Sequence, residues 1–367
     1  MHNFYYNFFI GKVKGNGLQK SFKFILLFLF AVLILWFFGR NLDWSEVSDS
    51  LRKANAYYLS AATLIICLGY YLRAARWKVL LEPLTETSMR ELFAATTVGF
   101  AVIMVVGRAG ELARPMWLAM RDRRVRPSAA LVSLGVERIF DLTALVCFFA
   151  VNLLWFAPPA GHEREIAYVK IAGVSLLAVV VAGFAALIFY RRNSAKIIVW
   201  TERFFDRKFI PKRVRNLISS IQRQLATSLE ILCDGREILG ITFWTILLWL
   251  SIALPTWFVI LAFNLPVNVS FTDSLFVMFV AALGSVVPTP GGAAGAFHAA
   301  TAGGLIFLGV EAEKAAAISI AMHLVYFAPA IFFGLYYFLR GDASLARLRG
   351  LVSGEHAAEE VEHENQW

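Results

Sequence analysis

Residues 105–124 read VVGRAGELARPMWLAMRDRR. An apolar run ends at Val106, a glycine-bracketed stretch holds Arg108 and Glu111, and Arg114-Pro115 precedes another apolar turn. Basic residues follow from Arg121 to Arg126. The segment is either an ordinary cytoplasmic loop or a charged site set into a membrane protein, and the choice fixes the path of every later helix.

The surrounding chain is greasy. Of 367 residues, 59% are hydrophobic, 14% aromatic and only 17% charged, against about 45–50% apolar and about 25% charged in soluble domains. This is the composition of an integral membrane protein. The net charge of +9 sits beside apolar runs, a pattern that points to cytoplasmic flanks and anionic lipid headgroups and away from nucleic acid. Cys67, Cys147 and Cys233 are far apart and give neither a disulfide framework nor metal spacing. No nucleotide loop or other cofactor motif is present, so no cofactor is expected.

A helix needs about 20 mainly apolar residues to cross a bilayer. Runs 22–39, 55–80, 128–156, 167–190, 238–263 and 313–339 meet that length. The first is read as an uncleaved span, because bulky Trp36-Phe37-Phe38 follows it where a signal peptide has small residues. Runs 91–106 and 274–309 fit less well: one is short, and the other is broken by PTPGG at Pro288–Gly292. Basic residues mark cytoplasmic ends. Lys12 to Lys23 hold the N-terminus inside, and Arg73, Arg76 and Lys78 put the end of the second span inside. The Arg121–Arg126 cluster also belongs inside. Segment 91–120 must therefore enter and leave on one side, as a re-entrant hairpin breaking at Gly107–Gly110. Segment 274–309 is a second hairpin, entered from outside. The expected fold is all-α: a multi-pass protein of the bacterial cytoplasmic (inner) membrane with about eight membrane helices, six full spans plus two re-entrant hairpins, and both termini cytoplasmic.

The expected organisation is a basic N-terminus (1–23), a membrane domain (24–340) and an acidic, disordered cytoplasmic tail (341–367). Within the membrane domain, 191–236 is a basic cytoplasmic segment. Its apolar residues from Val214 to Leu232 recur at three and four, as in a helix lying on the membrane surface or on the protein's own base. The halves 55–157 and 238–340 echo each other: span, apolar half-helix, glycine break, second half-helix, Ala/Ser-rich span. With the hairpins entering from opposite faces, this is an inverted repeat. Composition alone makes Gly-rich hairpins look alike, so the order of parts is the argument.

Charge at membrane depth costs about 2.5–3.5 kcal/mol on insertion scales, so such residues should pair and face inward. Arg108, Glu111 and Arg114 are spaced three apart, so Glu111 can reach either arginine. Gly107 and Gly110 leave backbone N–H groups at a helix start, a geometry that attracts phosphate, and arginine forks match phosphate oxygens. The bland alternative is a structural ion pair. Glu137, Arg138 and Asp141 lie some ten residues into LVSLGVERIFDLTALVCFFAV, where only a polar interior or a partner can accept them. In the second half, Pro290, Gly291 and Gly292 stand at the break, with His298 after it and His323 midway along the last span. Two intramembrane histidines serve as proton carriers or as hydrogen-bonding residues; a metal would need more ligands than the sequence offers.

With GRAGELARP (Gly107–Pro115), ERIFDL (Glu137–Leu142), PTPGGAAGAFH (Pro288–His298) and HLVYFAPAIFFGL (His323–Leu335) in hand, the chain resembles the lysylphosphatidylglycerol synthase transmembrane, or flippase-like, family over about 20–340. Many relatives carry Glu where this chain has His298 and Arg where it has His323, so the paired histidines look like a subclass. The resemblance implies a membrane domain linked to moving lipids or lipid-linked groups between leaflets. It carries no aminoacyl transfer here, since neither a synthase nor a glycosyltransferase domain is recognised.

The expected function is a lipid translocase moving an anionic phospholipid or lipid-linked phosphate, a transporter rather than an enzyme. Its expected substrate site comprises Arg108, Gly110, Glu111, Arg114, Glu137, Arg138, Asp141, Pro290, Gly291, Gly292, His298 and His323, and its expected partners are anionic membrane lipids. The alternatives are an intramembrane lipid-modifying enzyme with a histidine base, and a non-catalytic membrane partner of a separate lipid synthase.

Overall fold

The computed structural model describes Trp36 and residues 39–340, apart from 83, 84, 123, 126, 157–160, 162, 206–221, 223, 224, 227–234 and 288. The regular elements among them are all helical. They are α1 (Trp44–Lys53), α2 (Ala56–Leu81), α3 (Met89–Val106), a 3-10 turn (Gly107–Leu112), α4 (Ala113–Arg121), α5 (Pro127–Trp155), α6 (Glu163–Phe205), α7 (Gly235–Leu261), α8 (Phe271–Gly284), α9 (Pro290–Phe307) and α10 (Ala312–Arg340). The chain is an all-α multi-pass membrane protein. α2, residues 167–201 of α6, α7 and α10 are long and apolar enough to cross a membrane. α5 has 29 residues, a length of about 43 Å at 1.5 Å per residue, but carries Glu137, Arg138 and Asp141 in its middle.

Local chemistry sets the helix starts. The Asn55 side chain accepts from Tyr57 N at the head of α2, the Ser88 side chain from Glu91 N at the head of α3, and Ser270 and Asp273 form a capping box on α8. α3 stops where Gly107 takes φ 74°, a region closed to most L-residues. Both expected hairpins are present as paired limbs, α3 with α4 and α8 with α9.

The two halves repeat in their packing as well as in their order. α2 contacts α3 and α5 as α7 contacts α8 and α10; α4 packs on α5 as α9 does on α10. Across the halves, α3 lies on α10 and α8 on α5, while α2 and α7 pack on each other. Each hairpin is thus clasped by the other half's last helix. Small residues permit the approach. A Cβ on Gly284 would lie 2.6 Å from the Ala296 carbonyl oxygen, and one on Gly334 would lie 2.6 Å from that of Thr97.

Three features differ from the sequence expectations. The helix expected to end near residue 190 runs on to Phe205, 43 residues in all, so 191–205 continues a span and does not begin the surface segment. α1 was not expected; Asp43 caps it, and it packs on α10. Arg76 does not mark a solvated helix end; it is wholly buried. The first span at 22–39 (apart from Trp36 and Gly39), the N-terminus, most of 206–236 and the tail at 341–367 lie outside the described residues.

These contacts separate two kinds of glycine. Gly334→Ala is expected to destabilise the protein by about 1–3 kcal/mol through overpacking. Gly303→Ala, where an added Cβ meets nothing within 4 Å, should leave stability equal or raised by up to about 1 kcal/mol. Thermal unfolding of the purified variants in one detergent checks both.

Candidate functional site

Four helical elements converge on one ionic cluster. α2 contributes Arg73 and Arg76, the 3-10 turn Glu111, α4 Arg114, and α5 Glu137, Arg138 and Asp141. The helical spacing of α5 places Glu137 and Asp141 one turn apart on a single face, and Arg76 reaches both. Its Nη2 is 3.3 Å from Glu137 Oε1 and its Nη1 is 2.6 Å from Asp141 Oδ1. Both are buried ion pairs, with Asp141 the closer partner. Arg114 Nη1 and Arg138 Nη2 each donate to Glu137 Oε1 at 2.8 Å. Arg138 also lies 2.9 Å from Asp141 Oδ2 and 3.8 Å from Glu111 Oε1.

Burial is graded across this cluster. The side chains of Arg76 and Glu137 are 0% exposed, whereas those of Arg138 and Glu111 are 34% and 24% exposed. Arg114 is buried and stacks over Trp77 at 4.0 Å from the ring centroid, a favourable cation–π contact. Trp77 is held in turn by its Nε1 donating to Ser133 Oγ at 3.0 Å. Arg73 is different. It stacks over Phe100 at 5.0 Å and lies within electrostatic range of Asp141, Arg138, Arg76 and Glu137, yet among the described residues it makes no ion pair.

The second constellation gathers at the break before α9. Gly291, Gly292 and Ala293 take φ of 74°, 65° and 64°, a left-handed turn that two glycines make accessible. His298 and His323 lie with ring centroids 4.9 Å apart. His323 sits beside the Gly291 and Gly292 backbone and 4.7 Å from the Phe327 ring. His298 Nδ1 and His323 Nε2 are buried without a hydrogen-bond partner. A Cβ on Gly292 would lie 2.7 Å from Met104 Sδ, near the end of α3, and α9 also packs on the 3-10 turn. The two hairpin breaks therefore meet.

Of the residues expected to act together, Glu111, Arg114, Glu137, Arg138 and Asp141 do form one cluster. Gly291, Gly292, His298 and His323 form another beside the first hairpin's tip. The side chains of Arg108 and Pro290 lie outside the described residues. Two expectations are corrected. Arg114 pairs with Glu137, not with Glu111. The Gly107 N–H does not stand open, since it bonds to Ile103 O, and a Cβ on Gly110 would lie 2.7 Å from Ile103 N. Gly110 allows the turn to press on α3. Sequence reasoning missed Arg76 and Arg73. Their signal was a pair of arginines three apart inside an apolar run, assigned too readily to a cytoplasmic edge. No group of three metal-ligating side chains occurs among the described residues.

Comparison with known proteins places this arrangement in context. The family described as "Lysylphosphatidylglycerol synthase TM region" matches residues 24–334. "Glycosyltransferase AglD" of Haloferax volcanii is 25% identical over 293 residues, covering 72% of this chain and 46% of that protein. The chain thus spans about half the length of the curated relative it matches.

The cluster's wiring predicts unequal costs. Arg76→Gln leaves Glu137 and Asp141 short of a buried cation and should destabilise by about 3–5 kcal/mol. Arg121→Gln, in the half-exposed pair with Glu91 at 3.0 Å, should cost no more than about 1 kcal/mol. Unfolding of the two variants side by side gives the comparison.

Proposed function

Because the chain belongs to the lysylphosphatidylglycerol synthase transmembrane-region family, we propose that it moves an anionic phospholipid or a lipid-linked phosphate between the leaflets of a bacterial cytoplasmic membrane. The family and the distant glycosyltransferase relative make it a membrane protein of lipid-related function; movement between leaflets is the finer reading. The observation that carries it is the cationic surplus of the cluster. Among the described residues, Arg73, Arg76, Arg114 and Arg138 face Glu111, Glu137 and Asp141, and Arg73 makes no ion pair. In addition, Arg76 Nε, Arg114 Nε and Nη2, and Arg138 Nε are buried without a hydrogen-bond partner. Buried donors are ordinarily satisfied, and phosphate oxygens match guanidinium forks.

In this reading the headgroup enters at the half-exposed Arg138 and Arg73 and is drawn toward Arg76 and Arg114. Glu111, Glu137 and Asp141 hold the arginines in place. The hairpins enter from opposite faces, both termini are cytoplasmic, and the meeting of the two breaks forms the polar path. His298 and His323, packed against Phe297 and Phe327, couple the path to protons.

A second reading, a membrane partner of a separate lipid-modifying enzyme, draws support from coverage, since the matched relative is named a glycosyltransferase and the match occupies 46% of it. An intramembrane enzyme with a histidine base is less favoured. Among the described residues no carboxylate forms an ion pair with either histidine.

Liposomes carrying the purified protein and a reporter of leaflet exchange test the proposal. Phosphatidylglycerol, other anionic lipids and polyprenyl phosphates are tried in turn. Exchange of at least one is expected, and Arg73→Gln should slow it at least tenfold without lowering the unfolding temperature. Wild-type protein that exchanges none of them would overturn the reading. For the histidines, whose rings lie 4.9 Å apart, exchange should depend on pH in the wild type and lose that dependence in the His298→Asn/His323→Asn double variant.

A further inference from the structure

Away from the buried cluster, the base of the first hairpin meets the end of α10 around a small open cleft. Arg90 and Glu91 come from the start of α3, Trp117 and Arg121 from α4, and Tyr336 and Arg340 from α10. Glu91 is already engaged: Arg121 Nε and Nη2 donate to its two oxygens at 3.0 and 3.2 Å. Arg90 makes no ion pair among the described residues. Arg340 lies over the Tyr336 ring at 4.8 Å, a contact that fixes its direction without neutralising it. Three arginines therefore border the cleft against one carboxylate.

An independent observation concerns Trp117. It is 1% exposed, and its Nε1 is buried without a hydrogen-bond partner. Indole N–H groups in such positions normally find an acceptor. An acceptor entering between Arg90, Arg340 and Trp117 would satisfy a neutral donor and two cations together. Aromatic rings beside arginines at a helix-bundle end also match the chemistry of a membrane interface.

We propose that this cleft is a second phosphate-binding site, which holds the phosphate of an anionic lipid headgroup at the end of the bundle where Arg121, Arg124 and Arg340 lie. The site is separate from the Arg76–Glu137 cluster. Its occupation does not depend on whether that cluster moves lipids.

Binding to the full chain in detergent is measured with dioctanoyl phosphatidylglycerol, with dioctanoyl phosphatidylcholine and with inorganic phosphate. Saturable binding of the glycerol lipid is expected, weaker by at least tenfold in Arg90→Gln/Arg340→Gln and several-fold in Trp117→Phe, which keeps the ring and removes the N–H. Arg340→Lys should retain most of the affinity. Inorganic phosphate that competes at comparable concentration identifies a free phosphate as the ligand; competition by the lipid alone identifies the headgroup, and both support the site. Equal binding by wild type and the double arginine variant, or equal affinity for phosphatidylcholine, overturns it. Leaflet exchange is read separately, so its failure leaves this result standing, and the reverse holds too.

Discussion

Glu137 is the point on which the bundle turns. It is 0% exposed and lies within ion-pair distance of Arg76 on α2, Arg114 on α4 and its own neighbour Arg138. A carboxylate taken out of water loses several kcal/mol of solvation even after relaxation. Only the converging arginines offset that loss. Each arginine in turn is tolerable there only because Glu137 and Asp141 are present. The constraint is mutual, and it fixes the angle at which α2, the first hairpin and α5 must meet. The hairpin limb α4 is held there as well by Trp117 and Leu118, which are buried against α2 and α3.

The remaining architecture follows from that fixed corner. With α2 and α5 joined, α3 closes against α10, and by the same logic of parts α8 closes against α5. Each hairpin is thus held by both halves. Glycines at the crossing points, Gly284 on Ala296 and Gly334 on Thr97, let backbones approach where lipid would otherwise fill the gap. Tyr70 Oη donates to the Tyr326 carbonyl at 2.7 Å, and Tyr326 Oη reaches the carbonyl of Ile252 at 3.1 Å. Those polar groups tie α2 to α10 and α10 to α7 beside Pro255 and Pro329, where a missing N–H weakens each helix. The contact of α9 with α3 has no counterpart of similar extent. It brings the two breaks together and makes the halves unequal at their centre.

Much of this was legible in the sequence, because hydrophobic length and positive charge near span ends are one-dimensional signals. Both hairpins and the spans from 55 onward could be read from them. Glu137, Arg138 and Asp141 stood out because their apolar neighbours leave no route to water. Partner choice was not legible. Arg76 is 61 positions from Glu137 in the chain, and its place near Lys78 mimics a cytoplasmic edge. Local spacing let Glu111 reach either Arg108 or Arg114, yet Arg114 stacks on Trp77 and pairs with Glu137 on α5. The histidines were legible as a pair, but their ring contact at 4.9 Å was not, since it depends on how α9 leaves the left-handed turn at Gly291–Ala293. The extension of α6 to Phe205 was hidden by its basic residues, which read as solvated although a helix can carry them beyond the membrane.

A purely structural ion cluster would close its own accounts, with carboxylates and guanidinium groups matched and buried donors satisfied. This one does not. Among the described residues the arginines outnumber the carboxylates, and the excess is not spread evenly. Arg76 and Arg114 sit deepest, while Arg138 and Arg73 stand toward the accessible side, so positive charge extends from the surface to the floor. Stability alone would favour replacing such a set with apolar residues of similar volume. A graded run of underused guanidinium donors is instead what a diffusing phosphate needs: charge at the entry to attract it and forks further in to receive it. Retaining costly buried charge in this unbalanced form is therefore better explained by binding an anion than by holding helices together.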